Sequence, residues 1–121
     1  MLNIVFYFQV HQPYRLNHFN VLDIAHNAKI FNDKLNGDIM RKVANKCYLP
    51  TNQLLLELIE KYEGRFKVAF SISGTALEQF KLYSPETLDS FKRLVDTGCV
   101  ELLGETYYHS LAFLFDTNEF L

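Results

Sequence analysis

The chain has 121 residues, of which 49% are hydrophobic and 21% are charged, and its formal net charge is −2. This composition is typical of a globular protein, and the slight acidic excess gives no electrostatic basis for binding nucleic acid or anionic lipid. No apolar run approaches the roughly 20 residues that a membrane-spanning helix needs, so we expect no membrane partner.

The two cysteines, Cys47 and Cys99, lack the spacing of a zinc knuckle or a redox motif. Isolated thiols predict reduced core residues in a cytoplasmic protein, because disulfide frameworks belong to oxidising compartments. The apolar amino terminus has no Lys or Arg before it and no small-residue cleavage site after it. We therefore do not expect it to be a signal peptide.

The first predicted element is an apolar strand, Asn3 to Val10, of the kind that is buried on both faces. It stops abruptly at His11-Gln12-Pro13. Unpaired His and Gln side chains are costly to bury, so packing gives no reason for them here, whereas a binding site would. A long polar loop follows to about Asn36, with some helix around residues 23–31.

Four helical segments are predicted after this loop. Asp38 would cap a short helix whose apolar side contains Ile39, Met40, Val43 and Cys47. The next is an amphipathic helix over residues 51–64 that ends at Gly64. Its apolar face would consist of Leu54, Leu55, Leu58, Ile59 and Tyr62.

Two further helices are predicted, over residues 75–83 and 84–98. The second has Ser84 as its cap, Pro85 in its first turn and Gly98 as its stop. Another helix is expected to begin after Asp116 or Thr117.

Two more strands, Lys67 to Ser73 and Cys99 to Leu103, alternate with these helices. Such alternation implies right-handed crossovers and a parallel sheet. The predicted fold class is therefore α/β, with three parallel strands and intervening helices. Because a closed α/β barrel takes about 250 residues, we expect an incomplete sheet, the opening part of a larger domain.

Polar clusters follow all three predicted strands. Parallel strands share one carboxyl edge, where ligands of α/β proteins bind. Imidazole, amide and carboxylate groups with aromatic rings suit sugar hydroxyls and sugar faces, and no phosphate-binding glycine loop is present. The clusters comprise His11 and Gln12, then Gly74 and Glu78, then Glu105, Tyr107, Tyr108 and His109.

Each candidate also has a structural interpretation. His11 could be a hydrogen-bonded strand-end residue and Glu78 a solvated surface acid, and we expect one of the two adjacent tyrosines to serve packing. His18 and His26 are predicted to face solvent. A metal site of His11, His109 and a carboxylate is disfavoured by the absence of H-E-x-x-H spacing, so no metal and no cofactor are expected.

Three segments in order, "HQPYR", "FSISGTALEQ" and "VELLGETYYHSLA", resemble glycoside hydrolase family 57. The resemblance runs from about residue 3 to the end. That family includes α-amylases, amylopullulanases, 4-α-glucanotransferases and branching enzymes. The resemblance implies an incomplete (β/α)7 barrel, of which residues 1–121 would be the N-terminal portion, truncated before the fourth strand.

The resemblance implies a retaining mechanism on α-glucan or maltooligosaccharide, with a glutamate nucleophile and an aspartate acid/base about 5–5.5 Å apart. Both lie in regions beyond Leu121, so we expect no catalytic residue in this chain, and Glu78 and Glu105 are not assigned those roles. The chain alone is predicted to be inactive and to self-associate through uncovered barrel edges. The implied substrate-binding residues are His11, Gln12, Glu78, Tyr108 and His109.

Two alternatives remain at this stage. A metal-dependent polysaccharide deacetylase shares a related barrel but needs a His-x-x-x-His set that this sequence lacks. A non-catalytic glucan-binding remnant would keep the pocket and bind maltooligosaccharide by itself. The choice between hydrolysis, transfer and branching depends on regions outside these residues.

Overall fold

The computed structural model describes residues 4–20, 29–116 and 118. No helix in these ranges is long and apolar enough to cross a membrane. The strands are β1 (Tyr7–Val10), β2 (Val68–Ile72) and β3 (Val100–Leu103), and the helices are α1 (Asp33–Val43), α2 (Leu49–Lys61), α3 (Gly74–Tyr83) and α4 (Pro85–Asp96). A π-helical turn, Ala44–Tyr48, joins α1 to α2, and a 3-10 turn, Ala112–Leu114, follows β3.

The strands form one sheet in the order β1-β2-β3, and both pairings are parallel. Phe8 lies opposite Phe70, which lies opposite Leu102. The predicted α/β class, with three parallel strands and intervening helices, is confirmed. All three carboxyl ends consequently lie at one edge.

The core lies between the sheet and the helices on one of its faces. Phe70 projects from β2 onto Phe91 of α4, with ring centroids 5.4 Å apart, and Phe91 stacks on Phe80 of α3 at 5.6 Å. Tyr48 closes this cluster with its ring edge 5.2 Å from Phe80. Aromatic contacts of this kind add to the burial of apolar area, so the helices are fixed against β2.

The expectation that the first strand is buried on both faces is wrong for the described residues. Val10 is buried, but the other three residues of β1 are exposed. Ile4 and Val5, which precede β1, are 72% and 81% exposed. A parallel strand needs cover on both faces and a neighbour on both sides. Within the described ranges, β1 has helices over one face and pairs only with β2.

The short helix predicted to start at Asp38 begins earlier. Asn32 is the cap of α1, and its side chain accepts a 2.9 Å hydrogen bond from the Leu35 amide. The chain then stays helical through the π turn into α2, despite Pro50. A proline clashes with the carbonyl four residues earlier in a regular α-helix, and here the turn directly before it is π-helical, with the Leu49 amide bonded to the Ala44 carbonyl.

Part of the predicted apolar face of α2 is wrong. Leu55 and Ile59 are buried, whereas Leu54 and Tyr62 are 54% and 43% exposed. The buried side of α2 includes the polar residue Asn52, which donates a 2.8 Å hydrogen bond to Ser90 of α4, and an apolar pattern does not reveal a buried polar residue. The expectation of a core residue is also wrong for Cys47, which is exposed on the π turn, while Cys99 is buried as expected.

The last two helices begin and end close to the residues that the sequence predicts. Ser73 caps α3, Pro85 opens α4, and Gly98 has a φ of +71°, which glycine adopts without strain. Ser84 is the cap by position, although its hydroxyl donates to Glu86 Oε1 at 2.6 Å. The helix predicted around 23–31 falls mostly on residues 21–28, and the one after Asp116 on 117–121, largely outside the described residues.

Candidate functional site

The polar segments after the three strands meet at the carboxyl edge of the sheet. His11, after β1, has Nδ1 2.8 Å from Ser73 Oγ, after β2. The rings of His11 and His109, after β3, lie 4.8 Å apart between centroids. The structure thus brings together residues that are far apart in the sequence.

His11 is held by the start of α3. Ser73 Oγ accepts a 3.4 Å hydrogen bond from the Ala76 amide as the helix cap and is also 3.1 Å from Thr75 Oγ1. Burial, and secondarily the charge of His109, lowers the pKa of His11. The imidazole is consequently neutral at neutral pH, a form that both donates and accepts hydrogen bonds.

Gln12 lies behind the edge rather than on it. Its side chain is buried, donates to Tyr48 Oη at 3.0 Å and accepts from the Arg15 guanidinium at 3.3 Å. Its carbonyl accepts a 2.7 Å hydrogen bond from Gln79, a fully buried residue of α3. These bonds fix the backbone that follows β1.

Glu78 is exposed on α3 and is surrounded by phenol groups. Tyr107 Oη donates to Glu78 Oε2 at 3.2 Å. Burial, and then the hydrogen bond and charge of Glu78, raises the pKa of Tyr107 and that of Tyr14. Both tyrosines therefore remain protonated, and a carboxylate with phenol donors beside it is a suitable acceptor for further hydroxyl groups.

The two adjacent tyrosines differ in environment. A Cβ on Gly74 would lie 2.1 Å from Cδ2 of Tyr107, so the tyrosine ring sits directly against the glycine backbone. The Thr75 amide also donates to the Tyr107 carbonyl at 3.1 Å. Tyr107 therefore packs on one side and is 50% exposed, whereas Tyr108 beside it is 73% exposed, with ring centroids 4.8 Å apart. The division expected from the sequence, one packing tyrosine and one open ring, is met only in part.

His109 is engaged by a carboxylate and an amide. Its Nδ1 is hydrogen-bonded to Glu105 Oε1, and Gln9 Nε2 of β1 donates to the same oxygen at 3.3 Å. Burial alone would raise the pKa of Glu105, but hydrogen bonds, that from His109 foremost, outweigh it and lower the pKa. Glu105 is therefore ionised at neutral pH.

The polar loop after the site is tied to α1. Asn36 is fully buried, and its side chain accepts from the Arg15 amide at 2.9 Å and donates to the Arg15 carbonyl at 3.1 Å. His18 is exposed, as predicted, and His26 lies outside the described residues. In the part of the chain that the structure describes, no three His, Cys, Asp or Glu residues are placed to hold a metal ion.

Sequence reasoning missed Gln9, Ser73 and Gln79 as parts of the site's framework. Strand alternation could have placed Gln9 on the face opposite the core, and the helix-cap pattern could have marked Ser73. Gln79 gives no such signal, because a buried amide at that position looks like any polar helix residue.

Comparison with known proteins agrees with this architecture. The sequence profile of Glycosyl hydrolase family 57 matches residues 5–121. The chain belongs to glycoside hydrolase family 57.

One relative, from Methanocaldococcus jannaschii and named "Putative alpha-amylase", is 50% identical over 96% of this chain and 25% of its own length. An alpha-amylase of Pyrococcus horikoshii is 34% identical over 60% of this chain and 11% of its own. The crystal structure of a 4-alpha-glucanotransferase from Thermococcus litoralis matches 86% of this chain and 13% of that protein, with a TM-score of 0.58 and 24% identity. The chain thus spans a quarter or less of each relative.

Proposed function

We propose that this chain is the substrate-binding opening part of an enzyme that cleaves or transfers α-glucosidic bonds with retention of configuration. The observation that carries the proposal is the meeting of His11, Glu78 and His109 segments at one sheet edge. Membership of glycoside hydrolase family 57 supports it, as do relatives named alpha-amylase and 4-alpha-glucanotransferase.

The proposed roles follow from the contacts of each side chain. His11 and His109 exchange hydrogen bonds with sugar hydroxyls, Glu78 accepts from hydroxyls, and the open ring of Tyr108 covers an apolar sugar face. Gln12 is included as the residue that holds the His11 backbone in place, because its own polar atoms are engaged by Tyr48 and Arg15.

We further propose that the nucleophile and the acid/base lie outside these 121 residues, in the remainder of a (β/α)7 barrel. The chain alone then hydrolyses no α-glucan and needs no metal or cofactor. A cytoplasmic location is proposed from the two cysteines, which are both free thiols.

Binding is tested on the 121-residue chain by nuclear magnetic resonance with maltoheptaose, and hydrolysis by release of reducing ends from amylose. We expect weak binding with shift changes at His11, Glu78, Tyr108 and His109, and no reducing ends. The matched variants are His11→Ala, which should abolish the changes, and His18→Ala, an exposed histidine away from the edge, which should not.

Equal shift changes with cellohexaose, or none at these residues with maltoheptaose, would contradict the α-glucan proposal. Tight maltoheptaose binding would instead favour a non-catalytic glucan-binding protein. Reading the coding DNA past the codon for Leu121 tests the placement of the nucleophile: we expect an open frame that encodes a strand ending in glutamate.

We also propose that the chain self-associates through its uncovered sheet. Val5 is 81% exposed and Leu103 is 44% exposed, and the outer edges of β1 and β3 have no partner strand in the described ranges. Sedimentation velocity should show association that rises with concentration. Val5→Lys should weaken it, whereas Leu54→Lys, on exposed helix surface, should not; a monomer at all concentrations would refute this proposal.

A further inference from the structure

We propose that Glu105 is a positioning residue that holds His109 with its proton on Nδ1, so that Nε2 is the hydrogen-bond acceptor of the site. The role of Nε2 toward sugar rests on the proposed function, but the Glu105–His109 arrangement does not. The sequence places Glu105 and His109 in one cluster, but it gives neither their pairing nor the position of the ring proton.

The arrangement follows from which atoms can donate. The Glu105 side chain is only 8% exposed, and its Oε1 is hydrogen-bonded to His109 Nδ1. An ionised carboxylate has no proton and can only accept. The shared proton therefore belongs to Nδ1, and in a neutral imidazole the lone pair is then on Nε2.

The amide group of Gln9, on β1, lies close to both partners of this hydrogen bond. Its Nε2 is 3.3 Å from Glu105 Oε1 and 3.1 Å from His109 Nδ1. If Nδ1 carries the proton, as proposed, the amide donates to the carboxylate and its 3.1 Å approach to Nδ1 is not a hydrogen bond. Its distance to His109 Nε2 is 3.5 Å, at the limit of a hydrogen bond, so the Nε2 lone pair remains available to a better donor.

The backbone places the ring where this pairing is possible. His109 has a φ of +54°, a left-handed conformation that is uncommon outside glycine, and its amide donates to the Thr106 carbonyl at 3.1 Å. Thr106 Oγ1 also accepts from the Ser110 amide at 2.8 Å. This turn brings the imidazole back onto Glu105, four residues earlier, and against the His11 ring.

The direct test is the ¹⁵N spectrum of the histidine rings in the 121-residue chain at mildly alkaline pH, where imidazole is neutral. We expect His109 to be mainly the Nδ1–H tautomer, in contrast to the Nε2–H form that free histidine prefers. Glu105→Ala should return most of the population to Nε2–H. The matched control is Glu101→Ala, an exposed carboxylate on β3, which should leave the His109 spectrum unchanged.

A wild-type His109 that is mainly Nε2–H overturns the inference, and this result needs no variant to fold. An unchanged His109 spectrum in a folded Glu105→Ala chain overturns it as well, because a merely structural carboxylate would behave that way. Addition of maltoheptaose separates the two proposals: a shift of the Nε2 signal supports the sugar contact. An unmoved Nε2 signal with the expected tautomer would contradict the glucan contact of His109 and leave the positioning role standing.

Discussion

The two faces of the three-stranded sheet are built differently. On the helix-covered face, Val68 and Phe70 are 4% and 3% exposed and pack into one continuous core. On the open face, Tyr7 and Leu103 are 50% and 44% exposed. One strand alternates between these two environments at every residue. The covered face is complete only under the central strand β2, because Leu102 of β3, which lies opposite Phe70 on that same face, is 53% exposed.

The open face also changes character along the strands. Near the amino end of β1 it presents Val5, a bare apolar side chain, whereas toward the carboxyl end Tyr7 is bonded to Ser71 at 2.7 Å and Gln9 to Glu105 at 3.3 Å. Tyr7, Ser71 and Gln9 therefore have hydrogen-bond partners on this face without a cover, although Glu105 Oε2 is buried without a hydrogen-bond partner. The apolar side chain at the amino end, Val5, is left open to solvent.

The largest expected difference between the faces is in the stability lost when a large apolar side chain is replaced by alanine. Phe70→Ala should lower the free energy of unfolding by about 3–5 kcal/mol, because it removes a buried ring and leaves a cavity. Leu103→Ala, on the open face, should cost about 1 kcal/mol or less. Urea denaturation of both variants measures this, and equal losses would show that the open face is covered in solution.

A smaller effect is expected where the carboxyl edge packs on α3. Gly74→Ala should destabilise the chain by about 1–3 kcal/mol, because the new methyl group would overlap the ring of Tyr107. Gly104→Ala is the matched control, since nothing lies within 4 Å of its added Cβ, and it should change stability by about 0.5 kcal/mol at most. If the two variants are equally stable, Tyr107 does not pack on Gly74.

The electrostatics of this edge can be tested by alkaline titration of the phenol groups. Glu78→Gln removes a negative charge that opposes phenolate formation, so the pKa of Tyr14 and that of Tyr107 should fall, although burial still keeps both above the ordinary value. Ultraviolet titration of the phenols measures this. Asp33→Asn is the control: it should lower the pKa of Tyr83, which donates to Asp33 Oδ1 at 3.2 Å, and leave the other two unchanged.

The smallest effect is expected on the solvent side of the helices. Lys92 and Asp89 form a 3.0 Å ion pair, but their side chains are 63% and 66% exposed. Asp89→Asn should change the free energy of unfolding by less than about 0.5 kcal/mol, because exposed ion pairs are screened by water. A loss comparable to that of Gly74→Ala would mean that this surface is part of an interface.

The sequence predicted the elements whose ends carry local signals. Pro85 and Gly98 mark the ends of α4, and the strand–helix alternation predicts the parallel sheet. It could not predict that α1 continues into α2, because a π turn before Pro50 overrides the usual effect of proline. Nor could it predict which face of β1 is open, because an apolar segment has the same sequence pattern whether or not other elements cover both of its faces.

The site was predictable as a location but not as a set of contacts. Strand ends placed His11, Glu78 and His109 at one edge, because parallel strands share direction. Which polar side chain faces inward depends on packing: Gln12 bonds to Tyr48 behind the edge, and His109 turns back through a left-handed residue. Such orientations arise from contacts between segments distant in sequence, which local patterns do not contain.

The register of the sheet also favours one order of strand pairing during folding. Tyr7 pairs with Ala69, while Val68 pairs with Val100, so the first pairing closes about twice as long a loop as the second. Each doubling of loop length raises the free-energy cost of closing the loop by about 0.6 kcal/mol. This difference favours early docking of β2, α3, α4 and β3. During synthesis β1 emerges first yet has no partner until β2 has been made. The apolar side chains of β1 are exposed to solvent during that interval, and chaperones bind exposed apolar segments of this kind.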